Sequence, residues 1–256
     1  MIMELSFEEF YSFTSKLTRE AQEIILADMS SGVSHESKTD GTIVTQTDLA
    51  VERLIRSKIE DRYGDHGIVG EEYGDRTSGS GYTWVVDPID GTMSYFLGVP
   101  FFGTLIGLLY EGKPLYGAMR LPMFDQILAG DGAQCLINDE RAAVKGFQSW
   151  EDAIVLTTDE ERIRQSEYAE SWEKFGHKGC TFRTWGDCYG YSLVCSGKAD
   201  VMIDIQLKPC DILPILPIVE GAGASKVDFG KNENQDLALC LPSLEREISE
   251  LFQIVV

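Results

Sequence analysis

The 256-residue sequence is short of cations: 22 Lys and Arg stand against 42 Asp and Glu, a formal net charge of −20. Phosphate backbones and anionic membrane surfaces are gripped by clustered Lys and Arg, so this deficit argues against both as partners. It does not exclude an anionic small substrate if a divalent cation stands between the charges. No apolar run approaches the ~18 residues of a membrane-spanning helix. Met1–Glu9 lacks a basic stretch followed by an apolar run, so no secretory leader is expected and the expected location is cytoplasmic. None of the six cysteines (Cys135, Cys180, Cys188, Cys195, Cys210, Cys240) forms a CxxC pair. A chain of this length buries enough surface to fold without staples, so reduced thiols are the expectation. Histidine is scarce as well. His35, His66 and His177 are scattered outside any motif, which leaves a histidine-dependent nucleophilic mechanism without support.

What is present is a globular pattern in two halves. Ser6 and Glu9 make a capping box, and Phe7, Phe10, Leu17, Ala21, Ile24 and Ile25 recur at helical spacing, predicting a first helix that ends near Met29–Gly32. A strand over Thr42–Thr45 leads to a second helix with Thr47 or Asp48 as N-cap. Strands are then expected at Gly67–Glu72 and Tyr82–Val86, and Phe102–Tyr110 with Pro114–Leu121 reads as a hairpin in a meander continued by Gln126–Gly130 and Gln134–Ile137. Farther on, α and β patterns alternate, with helices expected at Glu160–Phe175, Asp187–Ser196, Asp211–Ala222 (kinked at Pro217) and Ser243–Gln253. This predicts an α+β domain over residues 1–142 and an α/β domain over 143–256.

The strongest local feature is Asp87-Pro88-Ile89-Asp90-Gly91-Thr92 at the end of an apolar strand. Pro88 fixes φ and Gly91 permits a tight turn, a combination that can aim both carboxylates into one cavity. Carboxylates that close repel unless a cation separates them, and hard oxygen ligands at an open site suit Mg²⁺. By itself such a segment is equally an ordinary surface turn, and a lone Asp211 or Asp48 an ordinary helix cap. Glu71-Glu72, ending the preceding strand, and Asp211, after a Lys-Pro-Cys turn, supply further carboxylates from separate elements.

Val69-Gly70-Glu71-Glu72, Trp84-Val85-Val86-Asp87-Pro88-Ile89-Asp90-Gly91-Thr92, and Asp211 ahead of Glu220-Gly221-Ala222-Gly223 resemble the inositol monophosphatase family of Mg²⁺-dependent, Li⁺-sensitive phosphatases. The resemblance runs over nearly the whole chain. It implies the layered αβαβα sandwich of the sugar-phosphatase fold, two or three Mg²⁺ ions and a homodimer, to which the hairpin Phe102–Leu121 would lend its apolar residues. It further implies a first metal held by Glu71, Asp87 and the Ile89 carbonyl, and a second held by Asp87, Asp90 and Asp211. Glu72 would stand behind these ligands as part of the catalytic group. The Gly91 and Thr92 N–H groups would bind the substrate phosphate. Asp48, within Ile43-Val44-Thr45-Gln46-Thr47-Asp48, and the Thr92 hydroxyl would orient and deprotonate the attacking water. No covalent phosphoenzyme is expected.

Within the family, Gly98-Val99-Pro100-Phe101-Phe102-Gly103-Thr104-Leu105-Ile106, Arg183-Thr184-Trp185-Gly186-Asp187-Cys188-Tyr189-Gly190-Tyr191 and Leu207-Lys208-Pro209-Cys210-Asp211 are similar to the branch acting on L-histidinol phosphate. Asp187 and Asp204 would then face the substrate beyond its phosphate, where a carboxylate can pair with an ammonium or imidazolium. Asp187 is equally a cap for the helix that follows it. Three residues depart from the pattern: Met93 where this branch usually has Lys, Cys210 in place of a bulky aromatic, and Asp204 where inositol enzymes usually have Glu. The competing expectations are an inositol 1-phosphate or other small sugar or nucleotide phosphate phosphatase, and, outside enzymes, a degenerate Mg²⁺-binding regulatory module.

Overall fold

The computed structural model describes residues 5–37, 43–230 and 235–252. Helices α1 (Phe7–Ser31) and α2 (Gln46–Arg62) flank a small ribbon of β1 (His35–Ser37) and β2 (Ile43–Thr45). Next come β3 (Gly67–Gly70), β4 (Tyr82–Asp90), α3 (Thr92–Leu97), β5 (Gly103–Tyr110), β6 (Lys113–Leu121), β7 (Gln126–Gly130), β8 (Cys135–Ile137) and β9 (Glu140–Ala142). The second half runs β10 (Ile154–Leu156), α4 (Glu160–Arg164), α5 (Ala169–Gly176), β11 (Thr181–Arg183), α6 (Asp187–Cys195), β12 (Val201–Leu207), α7 (Pro209–Ile212), α8 (Leu216–Gly221), β13 (Ser225–Asp228), β14 (Gln235–Cys240) and α9 (Glu245–Leu251). Thr42 and Gln253, the ends of two expected elements, lie outside the described residues.

Strands β3 to β9 form one sheet in sequence order, antiparallel except for the β3–β4 pair. A second sheet has the order β11-β10-β12-β14-β13. Each sheet is apolar on both faces, so helices must cover both. Phe10, Leu17 and Ile25 of α1 and Val51, Ile55 and Ile59 of α2 cover the outer face of the first sheet against Trp84, Val86 and Ile106. Tyr191 and Val194 of α6 and Ile218 of α8 fill the space between the sheets, against Leu105 and Met119 on one side and Met202 and Leu239 on the other. Ile163 of α4, Trp172 and Phe175 of α5 and Ile248 of α9 cover the far face. The result is the αβαβα sandwich.

Several elements differ from the sequence reading. The Glu160–Phe175 segment is two helices, because the Ser166 hydroxyl accepts the Tyr168 N–H at 3.1 Å and offers the backbone a turn in place of a helical bond. The helix expected from Asp211 starts earlier, at Pro209, and breaks across Pro214. Pro217 does not kink it but occupies the first turn of α8, where no intrahelical N–H is needed. The hairpin of β5 and β6 buries most of its apolar residues: Leu105, Ile106, Leu108, Met119 and Leu121 are fully buried inside the two layers, while Tyr110 at the turn is exposed. The exposed large apolar side chains include Met93, Leu97 and Val99, on and just after α3.

The segment α7–α8 rests directly on bare backbone. A Cβ at Gly117 would lie 1.8 Å from the Pro214 carbonyl oxygen, and one at Gly130 would lie 2.4 Å from that of Pro217. Because backbone is what would be struck, no rotamer change relieves the clash. Gly117→Ala is expected to destabilise the fold by about 3 kcal/mol, the upper range of overpacking. A denaturant midpoint within error of wild type would show that α8 can lift off the sheet.

Candidate active site

The metal-type carboxylates converge because β4 carries one extra residue. Asp87 pairs with Leu105 but Asp90 with Gly103, a register shift of one between them. In a regular strand Asp90 would share the face of Trp84 and Val86, which pack under α1 and α2. The bulge sends Ile89 to that face and turns Asp90 toward the side of Asp87. The Thr104 hydroxyl locks the bulge by donating to the Pro88 carbonyl at 2.8 Å. Gly91 then takes φ 83°, and a Cβ there would stand 2.8 Å from the Phe101 carbonyl oxygen, so the turn into α3 requires glycine.

Asp211 arrives from the other half of the chain. It sits in the first turn of α7, where one oxygen accepts the Lys208 N–H at 2.8 Å and the other the Cys210 thiol at 3.3 Å. Carboxylate oxygens of Asp87, Asp90 and Asp211 lie within 4.8 Å of one another, as do donor atoms of Glu71, Asp87 and Cys210. Glu71 also faces the Lys208 ammonium at 3.3 Å. The Ile89 carbonyl accepts the Thr92 hydroxyl at 3.0 Å.

Asp48 is fully buried. It is not the N-cap of α2. That role belongs to Thr45, whose hydroxyl accepts the N–H groups of Thr47 and Asp48. Asp48 answers as the third helical residue, one oxygen accepting the Thr45 N–H at 2.8 Å and its hydroxyl at 2.5 Å. The other oxygen, Oδ1, has no hydrogen-bond partner among the described residues, and neither has Asp87 Oδ1. Buried carboxylate oxygens without donors are costly. Burial, Glu71 and Asp90 push the Asp87 carboxyl well above the usual range, and burial, Asp187 and Asp211 do the same for Asp90. Burial also raises Asp48 and Asp211. A hard divalent cation is what this donor set fits: several carboxylates, two orphaned oxygens, and repulsion that the single ammonium of Lys208, set against Glu71, relieves only in part.

Beyond the carboxylates lies a cavity of about 130 Å³, lined among others by Asp90, Asp187, Asp204, Asp211, Tyr191 and Arg162. Asp187 opens α6 at φ 48°. Its N–H donates to the Thr158 hydroxyl at 2.8 Å, and the next N–H, of Cys188, donates to Asp90. Burial, Asp204 and Asp211 push the Asp187 carboxyl up to about 7. Asp204 borders the same cavity but is engaged inward. It accepts the Thr158 N–H at 2.8 Å and hydroxyl at 3.0 Å, and the Tyr191 hydroxyl at 2.9 Å. It braces the start of α6 through Thr158.

Glu52 was not singled out from the sequence. It is fully buried, and its carboxylate accepts the Glu72 N–H at 2.8 Å and the Tyr73 N–H at 3.2 Å while pairing with Arg56 at 2.7 Å. Glu72 is thus tied by its backbone to α2. Gly70 makes room, since a Cβ there would lie 2.0 Å from the Glu52 carboxylate. The available signal is a charge on the buried stripe of α2 between Val51 and Ile55. Should the carboxylate cluster hold a divalent cation, Glu52→Gln is expected to leave the fold intact but weaken activation by that cation by about 10- to 100-fold, the range for groups that hold metal ligands in place. An unchanged half-saturating Mg²⁺ concentration would assign Glu52 to packing alone.

The sequence model of the inositol monophosphatase family matches residues 6–249. A histidinol-phosphatase of Chlorobaculum parvum is 34% identical over 194 residues, 75% of each chain. A fructose-1,6-bisphosphatase/inositol-1-monophosphatase of Aquifex aeolicus is 34% identical over 192 residues, 73% of each chain. The solved structure of an inositol monophosphatase from Anabaena (Nostoc) superposes with a TM-score of 0.82 at 21% identity, covering 97% of both chains. No described helix is long and apolar enough to cross a membrane.

Proposed function

The chain belongs to the inositol monophosphatase family and is a phosphatase acting on a small phosphorylated substrate, and from that premise we propose that it is a Mg²⁺-dependent phosphomonoesterase whose substrate is L-histidinol phosphate. The observation that carries the metal dependence is the orphaned Asp87 Oδ1 in the midst of Glu71, Asp90 and Asp211. Glu71, Asp87, the Ile89 carbonyl, Asp90 and Asp211 would hold two or three Mg²⁺ ions, which supply positive charge to the phosphate and acidify a bound water. Asp48 Oδ1 is aligned by the Thr45 clamp to accept a proton from the attacking water. The Thr92 hydroxyl spends its own proton on the Ile89 carbonyl, which leaves its oxygen as an acceptor toward that water. The Gly91 and Thr92 N–H groups, at the start of α3 where no intrahelical acceptor exists, would receive phosphate oxygens. Glu72 is held in place through its backbone by Glu52.

The substrate assignment rests on the acidic far end of the cavity and on the Chlorobaculum relative. Asp187 would meet the cationic side of the substrate. Arg162 in the same lining favours a second reading, a sugar phosphate bearing another anionic group, in line with the name of the Aquifex relative. Asp187→Asn separates the two. It is expected to raise KM for L-histidinol phosphate about tenfold or more, the size of a charge-assisted hydrogen bond, while changing KM for fructose 1,6-bisphosphate little. An equal rise for both substrates would remove Asp187 from specificity. We further propose that the chain works as a homodimer in the cytoplasm.

A further inference from the structure

Cys210 puts sulfur into a cluster of oxygen donors. Where the resembled family has a bulky aromatic, this chain places a thiol whose sulfur lies within 4.8 Å of donor oxygens of both Glu71 and Asp87. The side chain is buried and packed with Val85 and Leu109, and its backbone is fixed in the first turn of α7 by the bond from the Leu213 N–H to the Pro209 carbonyl at 3.0 Å. The thiol is therefore aimed, with one hydrogen bond to Asp211 at 3.3 Å. A second sign that this spot wants a cation, shared with the Mg²⁺ reading, is Asp87 Oδ1, an oxygen of a residue only 2% exposed, with no hydrogen-bond partner among the described residues.

We propose that Glu71, Asp87 and Cys210 form a binding site for a thiophilic divalent cation of the Zn²⁺ and Cd²⁺ class, and that its occupation inhibits the phosphatase. The inhibitory half rests on the reading that Glu71 and Asp87 hold the activating Mg²⁺. Mg²⁺ takes oxygen ligands and gains nothing from sulfur, whereas Zn²⁺ and Cd²⁺ accept a mixed carboxylate and thiolate set. Zn–S and Zn–O distances of about 2.3 and 2.0–2.2 Å let three donors of this spacing converge with small side-chain movements. As the sulfur–metal bond forms, the Cys210 S–H bond breaks and its proton leaves to solvent, with no change in oxidation state. Two of the three donors are shared with the Mg²⁺ reading, so the two classes of ion exclude each other. An aromatic at position 210 would fill the same space without offering a donor.

The test is a Cd²⁺ titration of the metal-free full-length protein, read by the ultraviolet charge-transfer absorbance of the cadmium–thiolate bond. Wild type is expected to give a saturable band that excess Mg²⁺ displaces. Cys210→Ser is expected to lose the band. Cys188→Ser is expected to keep it, since Cys188 lies near Asp90 but in neither three-donor group. Glu71→Gln, which leaves the thiol in place, is expected to weaken the titration, so the site stays testable should the serine variant fold poorly. With Mg²⁺ present, the Zn²⁺ concentration that halves phosphate release, each variant scaled to its own Mg²⁺ rate, is expected to rise about tenfold or more in Cys210→Ser. A band that survives in Cys210→Ser, or no band in wild type, overturns the site. Mg²⁺-dependent phosphate release without a band leaves the phosphatase reading standing while overturning this one. A band without any phosphate release supports the site and overturns the phosphatase reading.

Discussion

Replacing Asp90 with asparagine is expected to lower kcat in saturating Mg²⁺ by on the order of 10²- to 10³-fold, the scale of removing one preorganised electrostatic group. The amide oxygen still accepts the Cys188 N–H, so the start of α6 stays docked. The same substitution is expected to raise the melting temperature of the metal-free protein, because one of several mutually repelling carboxylates is gone. Activity and apo stability thus move in opposite directions. A variant that merely unfolds lowers both, and a variant with wild-type kcat removes Asp90 from the ligand set.

The second large effect is on stability against pH. Asp187 is pushed up to about 7 and Asp204 to about 6, each chiefly by burial, and Asp87, Asp90 and Asp211 are raised as well. An unfolded Asp ionises near 3.9. Carboxyls raised in the fold contribute stability that is complete below that value and is lost as pH climbs through 6 and 7. The metal-free protein is therefore expected to melt several degrees lower at pH 8 than at pH 6. Mg²⁺ favours the ionised carboxylates and should remove most of that difference. Thermal melts in EDTA and in Mg²⁺ at both pH values check this. A metal-free protein more stable at pH 8 would mean that the cluster is not under electrostatic strain.

The sequence made some of this legible and hid the rest for identifiable reasons. The Ser6–Glu9 capping box and the helical stripe of α1 are local signals, and both are present as read. The cap of α2 was misplaced because Thr45 and Asp48 form a box with aspartate in the position usual for glutamate, and Asp48 then looks like a cap itself. Strand β9 went unread because Glu140-Arg141-Ala142 is an edge strand with no apolar face to betray it. The chemical types and order of Glu71, Asp87, Asp90 and Asp211 were visible, but not the bulge that brings Asp90 to the side of Asp87, which depends on pairing with β5. Asp204 shows the same limit. As a residue type it can contact substrate or brace the scaffold, and its bonds from Thr158 and Tyr191 at the edge of the cavity are not visible in the sequence. Glu52 was hidden because its partners are backbone N–H groups twenty residues away.

The most direct measurement is phosphate release from L-histidinol phosphate and inositol 1-phosphate side by side, with Mg²⁺, with EDTA and with added Li⁺. The account predicts Mg²⁺-dependent release that EDTA abolishes and Li⁺ inhibits, with a clear kcat/KM preference for L-histidinol phosphate. Release that persists unchanged in EDTA would contradict the account at its centre, and a preference for inositol 1-phosphate would contradict the substrate assignment while leaving the metal chemistry in place.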